Sequence, residues 1–66
     1  MKRLEAQIYD GEHYVRLYEG SRCLADLYLD EATKPQADAA LRRFGLTRKT
    51  EWQIREWGFA AQVTAK

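Results

Sequence analysis

The chain has 66 residues, of which 45% are hydrophobic and 32% are charged, and its formal net charge is +1 at pH 7. A chain of this length forms a single domain, residues 1–66, and leaves little room for the enclosed cavity that a small-molecule site usually needs. The composition argues against disorder, and the lack of a long apolar run argues against a membrane span.

The first half of the sequence predicts three antiparallel strands. Residues 3–9, 13–18 and 22–29 alternate apolar and polar side chains, which is typical of half-buried strands. Asp10-Gly11 and Glu19-Gly20-Ser21 separate them and favour tight turns, so the strands form a meander. One predicted face is aliphatic, and we place Cys23 in it as a small buried hydrophobe.

A single helix is predicted over residues 34–44. Thr33 is a suitable N-cap with Gln36 three residues later, and Pro35 lies in the first turn. Gly45 is a suitable residue to follow the helix. The apolar stripe that should pack on the sheet contains Ala37, Ala40, Leu41 and Phe44.

The C-terminal third predicts one or two further strands. Arg48 and Lys49 are expected in a loop, a fourth strand over 50–57, and a fifth strand or extended tail over 59–64. Trp52 and Trp57 should point to opposite faces, with Trp52 in the core. The predicted fold is therefore α+β, in the order β-β-β-α-β(-β), with the helix packed on one face of the sheet.

The residues give little support to an enzyme. The chain has one His and one Cys, and His13 and Cys23 are the best candidates for a nucleophile and its base if the strands bring them together. Clustered metal ligands and a glycine-rich phosphate loop are missing from the sequence. We therefore expect no catalytic residues, no metal and no cofactor.

The face of the meander opposite the helix is the predicted partner-binding site. Tyrosine and arginine are enriched at protein interfaces because each combines a large apolar area with a polar tip. Two alternatives stay open at this point. Pairs of tyrosine and arginine on neighbouring strands stabilise a sheet without any partner, and the C-terminal segment could fold over this face. The residues of the predicted site are Tyr14, Arg16, Tyr18, Arg22 and Tyr28.

A basic cluster at the end of the helix supports an alternative function. Residues up to Ala32 carry a net charge of −3 and those from Thr33 onward carry +4, so the chain is dipolar. A nucleic-acid-binding accessory protein would use the cationic side chains near the helix end. These are Arg42, Arg43, Arg48 and Lys49.

The sequence thus favours a small, non-enzymatic interaction module that binds a protein partner or a second copy of itself, through this face or a strand edge. Segment 59–64 is the predicted site of strand exchange or pairing between copies. The lone cysteine and the lack of an apolar leader in the first residues indicate a cytoplasmic location, without a membrane or a small-molecule substrate as partner.

Overall fold

The computed structural model describes residues 3–65; the predicted domain 1–66 includes three further positions, 1, 2 and 66, that lie outside this range. Residues 3–65 form six strands and one helix. In chain order they are β1 (Leu4–Tyr9), β2 (Tyr14–Glu19), β3 (Arg22–Tyr28), α1 (Lys34–Arg43), β4 (Leu46–Arg48), β5 (Gln53–Arg55) and β6 (Gly58–Ala65).

All strands belong to one antiparallel sheet. The order is β3-β2-β1-β6, and β4 and β5 lie one after the other along the free side of β6. With α1 between β3 and β4 on one face, this confirms the predicted α+β fold and its meander.

The alternation of the first two strands produces the core as predicted. Ala6, Ile8, Val15 and Leu17 are buried beneath the helix. The stripe of α1 meets them through Ala37, Ala40 and Leu41, and Leu4, Leu27 and Trp52 pack around the edge of this cluster. Trp52, predicted in the core, is partly buried against this cluster, whereas Trp57 is among the exposed hydrophobic residues.

The helix begins and ends where its capping residues predict. The Thr33 side chain accepts a hydrogen bond from the Gln36 backbone N–H at 3.3 Å, and Pro35 lies in the first turn. Gly45 follows with φ +84°, a conformation that residues with a side chain rarely adopt. Phe44 is 52% exposed, so its predicted place in the core is wrong; Leu46 is buried in that cluster instead.

The segment after the helix differs from its prediction. Arg48 belongs to β4 rather than to a loop, and the strand predicted over 50–57 shrinks to β5. The Thr50 hydroxyl accepts a hydrogen bond from the Gln62 N–H at 3.0 Å, so a side chain interrupts the regular ladder between β4 and β5. Glu56 and Trp57 then form the turn into β6.

Strand β6 is central in the sheet, between β1 on one side and β4 with β5 on the other. Segment 59–64 therefore offers no free edge, so its predicted pairing with a second copy is wrong, whereas its predicted exchange between copies stays a prediction. In residues 3–65 the open edges are β3 and the β4–β5 side.

A bulge in β3 changes which way its first residues point. Tyr18 pairs with Cys23 while Leu17 pairs with Ala25, so Leu24 is an extra residue between the two pairs. Cys23 consequently lies opposite Tyr18 and is exposed, which overturns its predicted burial. A one-residue shift reverses the faces of a strand, which is why the alternation misled here.

Gly58 lies at a close approach between β6 and the backbone of β1. It pairs with Tyr9, has φ +148° and is buried. A Cβ atom added here would overlap the Ile8 carbonyl oxygen. Glycine is therefore required both by the conformation and by the space available.

Candidate functional site: the open face of the sheet

The face of the sheet opposite the helix, called the open face below, carries all four tyrosines of the chain. Three of them form a row with a tryptophan across the strands, called the aromatic row. Tyr28 and Tyr14 are register partners 6.2 Å apart between ring centroids, and Tyr14 lies 5.9 Å from Tyr9. Trp57 completes the row at 5.0 Å from Tyr9. Such tilted contacts are favourable for aromatic rings.

Arg16 lies beside this row and is held by an acidic partner. Its Nε donates to Asp26 Oδ1 at 2.9 Å, and the two residues are register partners on β2 and β3. The guanidinium carbon is 5.2 Å from the Tyr14 ring centroid and 5.7 Å from that of Tyr9. Hydrogen bonds to Asp26 and then to Tyr18 raise the pKa of Arg16, so the group is a fixed cation.

A polar chain runs along β1 from the row. The Tyr9 hydroxyl donates to Gln7 Oε1, and Gln7 Nε2 donates to Glu5 Oε2 at 2.6 Å. Burial first, and then a hydrogen bond shared with the Tyr18 hydroxyl, raises the pKa of Tyr9 to about 12. Tyr9 is therefore neutral at pH 7. Its ring is held by contacts with Tyr14 and Trp57, and its hydroxyl is held by the hydrogen bond to Gln7.

An open depression of about 490 Å³ lies at one end of the face. It is called the aromatic depression below, because three residues of the aromatic row line it. Carboxylates from the β1–β2 and β5–β6 turns share the lining with Arg16. The lining residues are Tyr9, Asp10, Glu12, Tyr14, Arg16, Glu56 and Trp57.

Most of the predicted partner-binding residues lie close together on the open face. Tyr14, Arg16 and Tyr28 are in mutual contact or one neighbour apart, and Tyr18 reaches Arg16 through its hydroxyl. Arg22 is different, because the bulge pairs it with Glu19, on the helix side of the strand. Its prediction as an open-face residue is therefore wrong.

Two members of the row are missing from the predicted site. Tyr9 alternates with Ile8 and shares the face of Glu5 and Gln7, so its parity indicates the open face. Trp57 is predicted on the side opposite Trp52, but its contact with Tyr9 depends on the turn between β5 and β6. Gly58 in the sequence indicates a break in the strand, but the alternation does not predict that Trp57 meets Tyr9.

The basic cluster lies at the opposite end of the molecule. Arg42 and Arg43 end α1, and β4 then begins beside the last residues of β6, whereas the aromatic depression adjoins the first residue of β6. Arg42, Arg43 and Lys49 are exposed. The two predicted surfaces are therefore separate.

Arg48 is committed to a structural contact. Its Nε and Nη2 donate to the two carboxylate oxygens of Asp38 at 2.7 and 3.1 Å, and Nη1 donates to the Thr50 carbonyl at 3.0 Å. Trp52 Nε1 donates to the same carboxylate at 3.1 Å. This group ties α1 to the β4–β5 edge, so a phosphate would have to compete with Asp38 for Arg48.

The charge of Asp38 is stabilised by these donors. Burial of the carboxyl raises its pKa, but the hydrogen bonds from Arg48 and Trp52 outweigh burial and leave the pKa of Asp38 below its usual value. The carboxylate is thus ionised at neutral pH and keeps all three donors.

The structure separates His13 from Cys23. His13 precedes β2, whereas Cys23 lies opposite Tyr18 near the end of that strand. Five residues of extended chain span about 17 Å, so the two side chains do not form a nucleophile and base. Among residues 3–65, no three His, Cys, Asp or Glu side chains are grouped to hold a metal ion.

Comparisons with protein-family models, curated proteins and solved structures find no match to this chain. In the described range 3–65, no helix has the length and apolar character needed to cross a membrane. The residues of the open face are therefore the basis on which a function can be proposed.

Proposed function

We propose that this chain is a small, non-enzymatic interaction module that binds a protein partner through the open face. The observation that carries the proposal is the aromatic row beside Arg16, on a face over which residues 3–65 place no helix or strand. Tyr28 is 78% exposed and Trp57 is 37% exposed, so the row supplies apolar area that is accessible to a partner.

The physical basis is the cost of ordering side chains on binding. Tyrosine and tryptophan bury much surface at a small loss of conformational entropy, because each has only two side-chain torsions. Contacts in the row and the ion pair with Asp26 already restrict Tyr9, Tyr14 and Arg16. A preorganised surface keeps more of its contact energy as affinity.

Self-association through a strand edge is the second form of this proposal. Strand β3 has a free edge in the described part of the chain, and an exposed edge is able to pair with another strand. Its bulge at Leu24 disturbs the ladder, which makes continuous pairing less favourable. We therefore favour the face over the edge.

A random-peptide display selection against the wild-type protein tests the proposal. Selected peptides should lose at least about tenfold in affinity for a Tyr14→Ser/Tyr28→Ser variant, because truncating two anchor residues costs more than about 1.4 kcal/mol. The matched control is Arg42→Ser/Arg43→Ser, which should bind the peptides as the wild type does. Far-ultraviolet circular dichroism should show that both variants fold.

Peptides that bind both variants equally well would contradict the proposal. Loss of binding only in the arginine control would also contradict it, since it would move the interface to the helix end. Steeply salt-dependent binding to random duplex DNA, abolished by the same arginine changes, would instead support the nucleic-acid alternative.

The proposal includes a cytoplasmic location. Cys23 is exposed and is the sole cysteine of the chain, so an oxidising compartment would leave it open to disulfide formation between molecules. A reducing compartment keeps such a thiol free.

A further inference from the structure

We infer that the aromatic depression recognises a basic side chain, so that the partner is a peptide segment carrying an exposed lysine or arginine. This inference rests on the proposed function and specifies the chemistry of the partner. The charge of the depression, the arrangement of its rings and the internal packing of Arg16 support it.

The charge of the depression is negative. Asp10 and Glu12 come from the β1–β2 turn and Glu56 from the β5–β6 turn, and all three are exposed. Arg16 is the only cation in the lining, and Asp26 neutralises it at 2.9 Å. A cationic group is therefore the favoured guest, and an acidic one is disfavoured.

The fold concentrates these carboxylates at one end. The antiparallel register brings the end of β1, the start of β2 and the start of β6 together, so both turns flank the aromatic row. Asp10 and Glu12 of the acidic N-terminal half thus lie beside Glu56 of the C-terminal half at one end of the open face. The cations of the helix end lie at the other end of the sheet.

The arrangement of the rings favours a long basic side chain over a quaternary ammonium. Tyr9 and Trp57 are 5.0 Å apart between centroids, and Tyr9 and Tyr14 are 5.9 Å apart. Rings that touch one another form a continuous surface rather than a cage around a methylated cation. The aliphatic stem of lysine or arginine would lie along this surface and place its charge among the carboxylates.

Arg16 shows that these rings accept a cation. Its guanidinium carbon lies within 6 Å of the centroids of both Tyr9 and Tyr14. The guest would occupy the side of the row nearer Trp57, where the carboxylates of the turns are free of the Arg16–Asp26 pair. A host arginine and a guest cation would then use different parts of the same aromatic surface.

Titration with short synthetic peptides tests the inference. The peptides are identical except at a central position occupied by lysine, arginine, trimethyllysine, norleucine or glutamate, and the readout is the indole N–H signal of Trp57. Lysine and arginine peptides should bind roughly three- to fivefold more tightly than the norleucine peptide, and the glutamate peptide should bind most weakly. Trimethyllysine should give no gain over lysine, because it loses its hydrogen-bond donors.

A pair of variants localises the charge effect. Glu12→Gln/Glu56→Gln should weaken the lysine peptide by about threefold or more and leave the norleucine peptide unchanged. The control is Glu31→Gln, an exposed carboxylate outside the depression, which should have no effect. Raising the salt concentration should reduce the lysine preference.

Equal binding of the lysine and norleucine peptides would overturn the inference, as would tightest binding of the glutamate or trimethyllysine peptide. Failure here is distinguishable from failure of the proposed function. If peptides selected by display still require Tyr14 and Tyr28 but show no preference for a basic residue, the open face binds proteins and only the basic guest is wrong.

Discussion

The two faces of the sheet each carry an arginine–aspartate ion pair, but the two pairs join different elements. Each face has an arginine paired with an aspartate ten positions away, and each arginine lies near an aromatic ring. On the helix side, Arg48 and Asp38 join the helix to the sheet edge. On the open face, Arg16 and Asp26 join two strands that the ladder already pairs. The helix-side contacts therefore support the fold, whereas the Arg16–Asp26 pair adds to a strand pairing that the backbone already makes.

The largest expected contrast between the faces comes from apolar truncation. Leu41 is 1% exposed in the core, and Leu41→Ala should lower the free energy of unfolding by about 2–5 kcal/mol. Tyr28→Ser, the matched change on the open face, should cost less than about 0.5 kcal/mol, since Tyr28 is 78% exposed. Urea unfolding of both variants measures these free energies. Similar losses of stability in the two variants would contradict the difference between the faces.

A substitution at Gly58 tests how closely β6 packs against β1. Gly58→Ala should cost about 2–3 kcal/mol, because the new Cβ would overlap the Ile8 carbonyl and the positive φ becomes strained. Gly11→Ala is the matched control, with φ +80° but no atom within 4 Å of an added Cβ, and should cost less. A tolerated Gly58→Ala would show that β1 and β6 are not so closely apposed.

The contact of Asp38 with Arg48 and Trp52 on the helix side, called the Asp38 contact below, should contribute more to stability than the Arg16–Asp26 pair on the open face. Asp38→Ala removes the acceptor of Arg48 and Trp52 and should cost about 1–2 kcal/mol, allowing for its partial exposure. The contact also holds the helix against the edge, so Trp52 fluorescence should shift as its indole loses this partner. An unchanged stability would mean that the Asp38 contact is incidental.

Low pH should weaken the Asp38 contact, because protonation removes the charge of its carboxylate. The folded-state pKa of Asp38 is lowered, so its contribution is fully present above the unfolded value of about 3.9 and is lost as pH falls through the folded value. The stability difference between wild type and Asp38→Asn should therefore shrink below about pH 4. Urea unfolding across this range measures it, and a difference independent of pH would contradict the assignment.

The smallest expected effect is on the open face. Asp26→Asn should cost under about 1 kcal/mol, because the Arg16–Asp26 pair is about one-third exposed and its strands remain paired. The same variant should change peptide binding more than stability, since Arg16 loses its anchor beside Tyr14. A large loss of stability would make this face structural rather than free.

Local patterns in the sequence account for the meander, the helix and most of the core. Alternation predicted β1 and β2 and the burial of Val15 and Leu17, and the Thr33 cap predicted the start of α1. The same parity predicted the shared face of Tyr14, Arg16 and Tyr28.

The remaining features depend on contacts between distant residues. The bulge at Leu24, which exposes Cys23 and removes Arg22 from the face, has no signature in the alternation. The split of the last edge into β4 and β5 depends on the Thr50 hydroxyl bonding to β6, and the Trp57 contact depends on the following turn. Such long-range pairings override local strand preference.

The most direct test of the account is a map of where a peptide selected by display binds. Two-dimensional ¹H–¹⁵N spectra of the wild-type protein should show the largest changes at Tyr14, Arg16 and Tyr28 and at the Trp57 indole, with little change at the helix end. Changes concentrated at Arg42, Arg43 and Lys49 would contradict the claim that the open face is the binding surface.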